Sequence, residues 1–266
     1  MVEIIIAVLI ISGLGLIFGV GLSYASKVFA VEVDERVTQI REVLPGANCG
    51  ACGYSGCDGF ANAVVEGEAP TNGCPVGGNA VAQEVAGIMG VEPEGIKRTA
   101  ARVLCNGRNS VSKEKYEYQG IDTCAAAASH FGGHKACTYG CLGHGDCKNA
   151  CPFDAIVMVG GIARIVEDRC RACGMCVLAC PKNLIEIIDK TKKYSVMCMS
   201  KDKGAVTRSH CQVGCIGCTK CVRACPQQAI SMEGTLAKID YSKCDNCGEC
   251  TKVCPTMAIR VMDFGE

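Results

Sequence analysis

The strongest constraint on this chain is a spacing. In GCIGCTKCVRACP (214–226), Cys215, Cys218, Cys221 and Cys225 fall within eleven residues and Pro226 follows the last. Neighbouring thiols in C-x2-C-x2-C are too close in sequence to form a useful disulfide, which needs distant partners. Zinc sites use separate C-x2-C pairs rather than a triplet closed by Cys-Pro. C-x2-C-x2-C-x3-C-P is the bacterial ferredoxin spacing for a [4Fe–4S] cluster. The chain carries 24 cysteines in 266 residues, with only 5% aromatics and no Trp. Organisation around metal clusters fits so thin an aromatic supply, because ligation itself supplies folding free energy.

A long repeat emerges from the cysteine positions. Cys124, Cys137, Cys141, Cys147, Cys151, Cys170, Cys173, Cys176 and Cys180 each have a partner 74 residues later: Cys198, Cys211, Cys215, Cys221, Cys225, Cys244, Cys247, Cys250 and Cys254. The break in the register is His144, opposite Cys218. The soluble part therefore reads as two tandem two-cluster ferredoxin-like modules in an α+β fold. AIVMVGGIARI (155–165) and AISMEGTLAKI (229–239) are expected hairpins, turned at Gly160-Gly161 and Glu233-Gly234. A further hairpin is expected from LIEII and KYSVM, either side of DKTK.

In the bacterial pattern the fourth cysteine of each run ligates the other cluster. Cys215, Cys218 and Cys221 are thus expected to share a cluster with Cys254; Cys244, Cys247 and Cys250 with Cys225; and Cys170, Cys173 and Cys176 with Cys151. The remaining cluster has Cys141, Cys147 and Cys180 but lacks its middle cysteine. Either His144 ligates directly or Cys137 is recruited from upstream, and the commonness of thiolate ligands favours Cys137.

Upstream, PGANCGACGYSGCDGFANAVVEGEAPTNGCP places Cys49, Cys52, Cys57 and Cys74 at C-x2-C-x4-C-x16-C. Glycines at 46, 50, 53 and 56 free backbone N–H groups to face cluster sulfides. A four-cysteine zinc site is the competing reading; beside four ferredoxin-type sites, iron–sulfur is preferred. Five [4Fe–4S] clusters use 20 cysteines. Cys105, Cys124, Cys198 and Cys211 are left over, enough for a sixth cluster or simply buried thiols behaving as small hydrophobes.

Ile4–Ala25 is 22 residues without a formal charge, roughly 33 Å of helix and enough to span a membrane. A secretory signal would want a basic start, whereas this chain opens Met-Val-Glu. Lys27, Arg36 and Arg41 follow the span, so the positive-inside rule leaves the bulk of the chain in the cytoplasm behind a single-pass anchor. Charges balance at 27 basic and 27 acidic, which gives no sign of nucleic-acid binding.

An N-terminal span, the CGACGYSGC…C site and then ferredoxin modules resemble the B subunit family of Rnf complexes, membrane ferredoxin:NAD oxidoreductases that pump sodium ions or protons. The resemblance covers essentially the whole chain. It implies a subunit that takes electrons from reduced ferredoxin and passes them to partner subunits of the complex, with no nicotinamide or flavin site of its own. A soluble polyferredoxin would lack the span. A radical-SAM enzyme, hinted at by Cys211, Cys215 and Cys218, would need a barrel that some 50 remaining residues do not supply. An electron-transfer subunit of another membrane oxidoreductase, such as a hydrogenase, is the alternative. The expected boundaries are an anchor (1–28), an α-rich cluster domain (29–104), a linker with the first ferredoxin module (105–197) and the second module (198–266).

Overall fold

A computed structural model describes residues 2–28 and 34–261. Helix α1 (Val2–Val28) contains the predicted span. Leu9–Lys27 is long and apolar enough to cross a membrane, and no described residue covers it. Leu16, Ile17, Phe18 and Leu22 stand in the open, the arrangement expected of a helix whose solvent is lipid.

Helices α2 (Glu35–Val43), α3 (Cys57–Val65) and α4 (Gly78–Met89) form the next unit. The Asp34 carboxylate caps α2 by accepting from the Arg36 amide. Ile40, Phe60, Val64 and Val85 build its small core, and Arg41 crosses to Asp58 at 2.7 Å.

Two sheet-and-helix modules follow. The first holds β1 (Thr99–Val103), α5 (Cys124–Ser129), α6 (Asp146–Asn149), β2 (Ile156–Val159), β3 (Ile162–Ile165), α7 (Met175–Ala179) and β4 (Ile185–Asp189). The second holds β5 (Tyr194–Val196), α8 (Gly204–His210), α9 (Lys220–Ala224), β6 (Ile230–Glu233), β7 (Leu236–Ile239), α10 (Glu249–Lys252) and β8 (Ile259–Val261). The inner hairpins form as expected, β2 with β3 and β6 with β7, in a register that repeats after 74 residues. Gly160 and Gly161 both have positive φ, which a two-residue turn of this hand requires. In the second copy the turn residues are Gly234 and Thr235, one position later than expected.

The outer pairing departs from expectation. LIEII and KYSVM do not pair with each other: β4 pairs antiparallel with β1, and β5 with β8. Each module is closed by its own first and last strands. Thr99–Val103 therefore shares a sheet with Ile185–Asp189, upstream of the boundary expected at residue 105, and Tyr194–Val196 lies with the second module rather than the first. Apolar side chains of these ribbons pack against the cysteine-bearing loops in both cores.

Candidate metal centres

The four Cys-Pro turns of the two modules share one backbone build. Asp154, Asn183, Gln228 and Met257, three residues after their cysteines, adopt left-handed backbone conformations. Pro fixes its own φ and supplies no donor, and the left-handed residue turns the next amide back onto the sulfur. Leu184, Ala229 and Ala258 N–H groups accordingly donate to the sulfurs of Cys180, Cys225 and Cys254 at 3.5, 3.3 and 3.2 Å. Amides aimed at sulfur stabilise a charged, metal-bound thiolate and tune the potential of a cluster.

Three cavities of nearly equal size, about 350, 320 and 340 Å³ of partly open space, are each ringed by four cysteines. The N-terminal one is lined by Cys49, Cys52, Cys57 and Cys74, between the end of α2 and the start of α3. Its loop is fixed where the Asn48 side chain accepts from the Cys57 amide at 2.8 Å. A Cβ on Gly56, at φ +115, would meet that same Asn48 oxygen at 3.0 Å. In the second module Cys215, Cys218, Cys221 and Cys254 ring one cavity. Cys244, Cys247 and Cys250 lie together, with Cys225 in the same core cluster as Cys244 and Cys250.

In the first module Cys151, Cys170 and Cys173 surround Cys176, whose thiol is pushed up to about 12 by burial and then by those neighbouring charges. The irregular site departs from expectation. Its cavity is lined by Cys124, Cys141, Cys147 and Cys180; neither Cys137 nor His144 lines it. Burial, then the charges of Cys141, Cys124 and Cys180, push Cys147 up to about 12. The Asp146 carboxylate at the start of α6 accepts from the Cys124 and Ala125 amides at 2.8 and 3.0 Å, which pins the start of α5 against the site. His144 turns away, with Nδ1 2.6 Å from Asp122 and its ring edge-on to Tyr118 and His134.

Sequence reasoning left Cys124 unassigned because the 74-residue register pairs it with Cys198. The strands pair Cys198 with Cys105 instead, since each lies two residues beyond a first strand, after Val103 and Val196. Cys105 precedes Cys137 by 32 residues and Cys198 precedes Cys211 by 13, so the first copy carries 19 extra residues. Cys124 sits in that insertion. The short matches VLC (103–105) and VMC (196–198) were the available signal.

Cysteines spread around the rim of a cavity, with amides aimed at their sulfurs, fit a cluster with a thiolate at each corner.

The comparisons with known proteins agree with this chemistry. An Fe-S cluster family model matches residues 44–76, 4Fe-4S dicluster domain models match 169–230 and 214–258, and the LdpA Fe-S cluster-binding domain matches 143–191. The 169–230 match takes one run from each module, as tandem copies of one spacing allow. Across 242 residues, 91% of this chain and 73% of the relative, the sequence is 45% identical to the B subunit of the Na(+)-translocating ferredoxin:NAD(+) oxidoreductase complex of Acetobacterium woodii. It is 42% identical to the B subunit of the proton-translocating ferredoxin:NAD(+) oxidoreductase complex of Clostridium ljungdahlii, over 91% and 86% of the two chains. It is 40% identical to the B subunit of the ion-translocating oxidoreductase complex of Methanosarcina acetivorans, over 90% of each. The chain belongs to the Rnf B-subunit family. Within this family of ion-translocating complexes, the chain is an electron-transfer subunit with [4Fe–4S] domains. One exposed apolar helix ahead of the cluster sites suits an Rnf protein, given the membrane setting of those complexes.

Proposed function

We propose that this chain is the cytoplasmic electron-entry subunit of an Rnf-type complex, held to the membrane by the single pass of α1 and reduced by soluble ferredoxin. A [4Fe–4S] cluster held by four thiolates takes up and releases one electron. The ligand sets are Cys49, Cys52, Cys57 and Cys74; Cys124, Cys141, Cys147 and Cys180; Cys151, Cys170, Cys173 and Cys176; Cys215, Cys218, Cys221 and Cys254; and Cys225, Cys244, Cys247 and Cys250. The observation that carries the reading is the adjacency of these sites. One cavity is lined by Pro75 and Val76, next to Cys74, and also by Asp168, Cys170 and Arg171, so the N-terminal site abuts the first module. Helix α6 with Cys147 packs against α7 with Cys176, and α9 with Cys221 packs against α10 with Cys250, so the two sites within each module are neighbours as well.

The two ends of this series differ. Cys247 is the exposed cysteine, whereas the N-terminal site follows directly on the anchor. Ferredoxin docks at the Cys247 end, and the N-terminal end faces the partner subunits of the complex. Lys27 at the end of α1 keeps that end on the cytoplasmic side.

The test is anaerobic stopped-flow mixing of the detergent-solubilised holoprotein with reduced ferredoxin free of dithionite, following bleaching of cluster absorbance. Fast, salt-sensitive bleaching of several clusters is expected. Clusters that dithionite reduces but ferredoxin does not would mean a different donor or the reverse direction of flow.

A further inference from the structure

With Cys124 seated in the irregular site, four cysteines remain: Cys105, Cys137, Cys198 and Cys211. They lie together. The charge of Cys105 is among those that raise Cys137, Cys198 and Cys211, and that of Cys137 also reaches Cys198. A Cβ on Gly107 would sit 3.6 Å from the sulfurs of both Cys105 and Cys211. The 105–115 stretch threads the four segments together. Asn106 N–H donates to the Met197 carbonyl at 3.2 Å, Lys113 N–H to His210 at 2.9 Å, and Ala136 N–H to Lys113 at 2.8 Å.

The arrangement has a pseudo-twofold symmetry that the sequence register hid. Each module gives one cysteine from just beyond its first strand, Cys105 or Cys198. Each gives a second from four residues before its first run, Cys137 or Cys211. In every case the amide two residues on is directed at the sulfur: Gly107 at Cys105, Tyr139 at Cys137, Ser200 at Cys198 and Val213 at Cys211. Cys74, Cys141 and Cys173 in the other sites receive amides from the same offset.

A buried cation completes the picture. Lys135 is only 2% exposed, and its ammonium donates to the Gly107 and Gly161 carbonyls at 3.2 and 3.0 Å. Among the described residues no carboxylate pairs with it. A buried charge is costly unless an opposite charge faces it. Four thiolates around an iron–sulfur core carry the net negative charge that this lysine lacks.

We infer that Cys105, Cys137, Cys198 and Cys211 hold a sixth [4Fe–4S] cluster at the seam between the two modules, where it is the electronic connection between them. The position follows from two equivalent contacts: the Cys141 amide donates to the Cys105 sulfur at 3.4 Å, and the Cys215 amide reaches the Cys198 sulfur. Each joins the seam to a neighbouring site in a different module. Tunnelling falls exponentially with distance, so a site touching both neighbours is the short path. The binding site stands on its own; its role as a connection rests on the electron-carrying reading above.

The test counts iron and acid-labile sulfide on the anaerobically reconstituted full chain, then on the Cys198→Ser/Cys211→Ser variant. Six clusters' worth, about 24 iron atoms per chain, is expected for the unaltered protein, with about four lost in the variant. Five clusters' worth in the unaltered protein, or unchanged iron in the variant, would overturn the site. Should the variant not fold, the count on the unaltered protein decides alone. In a folded variant, the fast bleaching by reduced ferredoxin should shrink to the second module's share. Iron lost with fast bleaching of every remaining cluster would overturn the connecting role. Loss of all bleaching by ferredoxin in the unaltered protein would count against the donor assignment and leave the site's iron count standing.

Discussion

At the scale of the residue, the irregular cavity takes Cys124 into its lining, where spacing offered Cys137 or His144. Cys124→Ser should lose about four iron atoms per chain, whereas His144→Ala should lose none; iron and sulfide assays distinguish the two. The backbone around position 144 still matches the regular run, because Gly143 and Gly217 both have positive φ and each precedes the contested position. Cys124→Ser combined with His144→Cys should therefore recover the lost iron. Failure to recover it would mean that the Asp122 and Tyr118 contacts of His144 reflect a loop set differently from its counterpart. Burial pushes these thiols up, to about 12 for Cys147 and Cys198, so each favours its protonated form. Burial penalises the thiolate until iron replaces the proton.

At the scale of the element, the inner hairpins hold the cluster loops by close backbone contact. A Cβ on Gly143 would lie 2.5 Å from the Gly161 carbonyl oxygen, and one on Gly217 would lie 2.8 Å from that of Thr235. Both positions also need left-handed backbone. Gly217→Ala should destabilise the second module by at least about 1–2 kcal/mol from conformational strain alone. The check is earlier thermal loss of the iron–sulfur chromophore, measured beside an unaltered control. These hairpins were legible in the sequence, because β-branched and apolar residues flank a glycine turn. The outer ribbons were not. Thr99–Val103 reads TAARV, with little strand character, and its partner lies more than 80 residues away. Its antiparallel pairing reflects tertiary packing over cysteine loops, which no local pattern records. LIEII and KYSVM, close in sequence with a turn-like DKTK between them, invited a hairpin that the closure of each module on its own first strand excludes.

At the scale of the whole molecule, the runs, the N-terminal motif and the apolar span were legible because each is a local spacing or a composition. The assembly of the seam was hidden by the 19-residue insertion, which brought a cysteine into a false register. Two further outcomes belong here. Removing residues 1–28 should shift the protein from the detergent-extracted membrane fraction to the soluble fraction with its iron content unchanged, since no described residue packs on α1. Stripping the clusters should unfold both ferredoxin modules while α1 stays helical in detergent, because metal ligation supplies their folding free energy and α1 depends only on its apolar surroundings. Far-UV circular dichroism against the holoprotein measures this. A stripped chain with its full signal would mean that the modules hold together without iron.

Closure of each module by its own terminal strands also orders the birth of the molecule. Strand β4 ends at residue 189, so the first module has every strand it needs before the second has been translated. The second is complete only when β8 has emerged as well. Domains tend to fold in turn as they leave the ribosome, and here α1 emerges ahead of both modules. A nascent chain is therefore tethered and half closed while Cys105 and Cys137 still wait for Cys198 and Cys211.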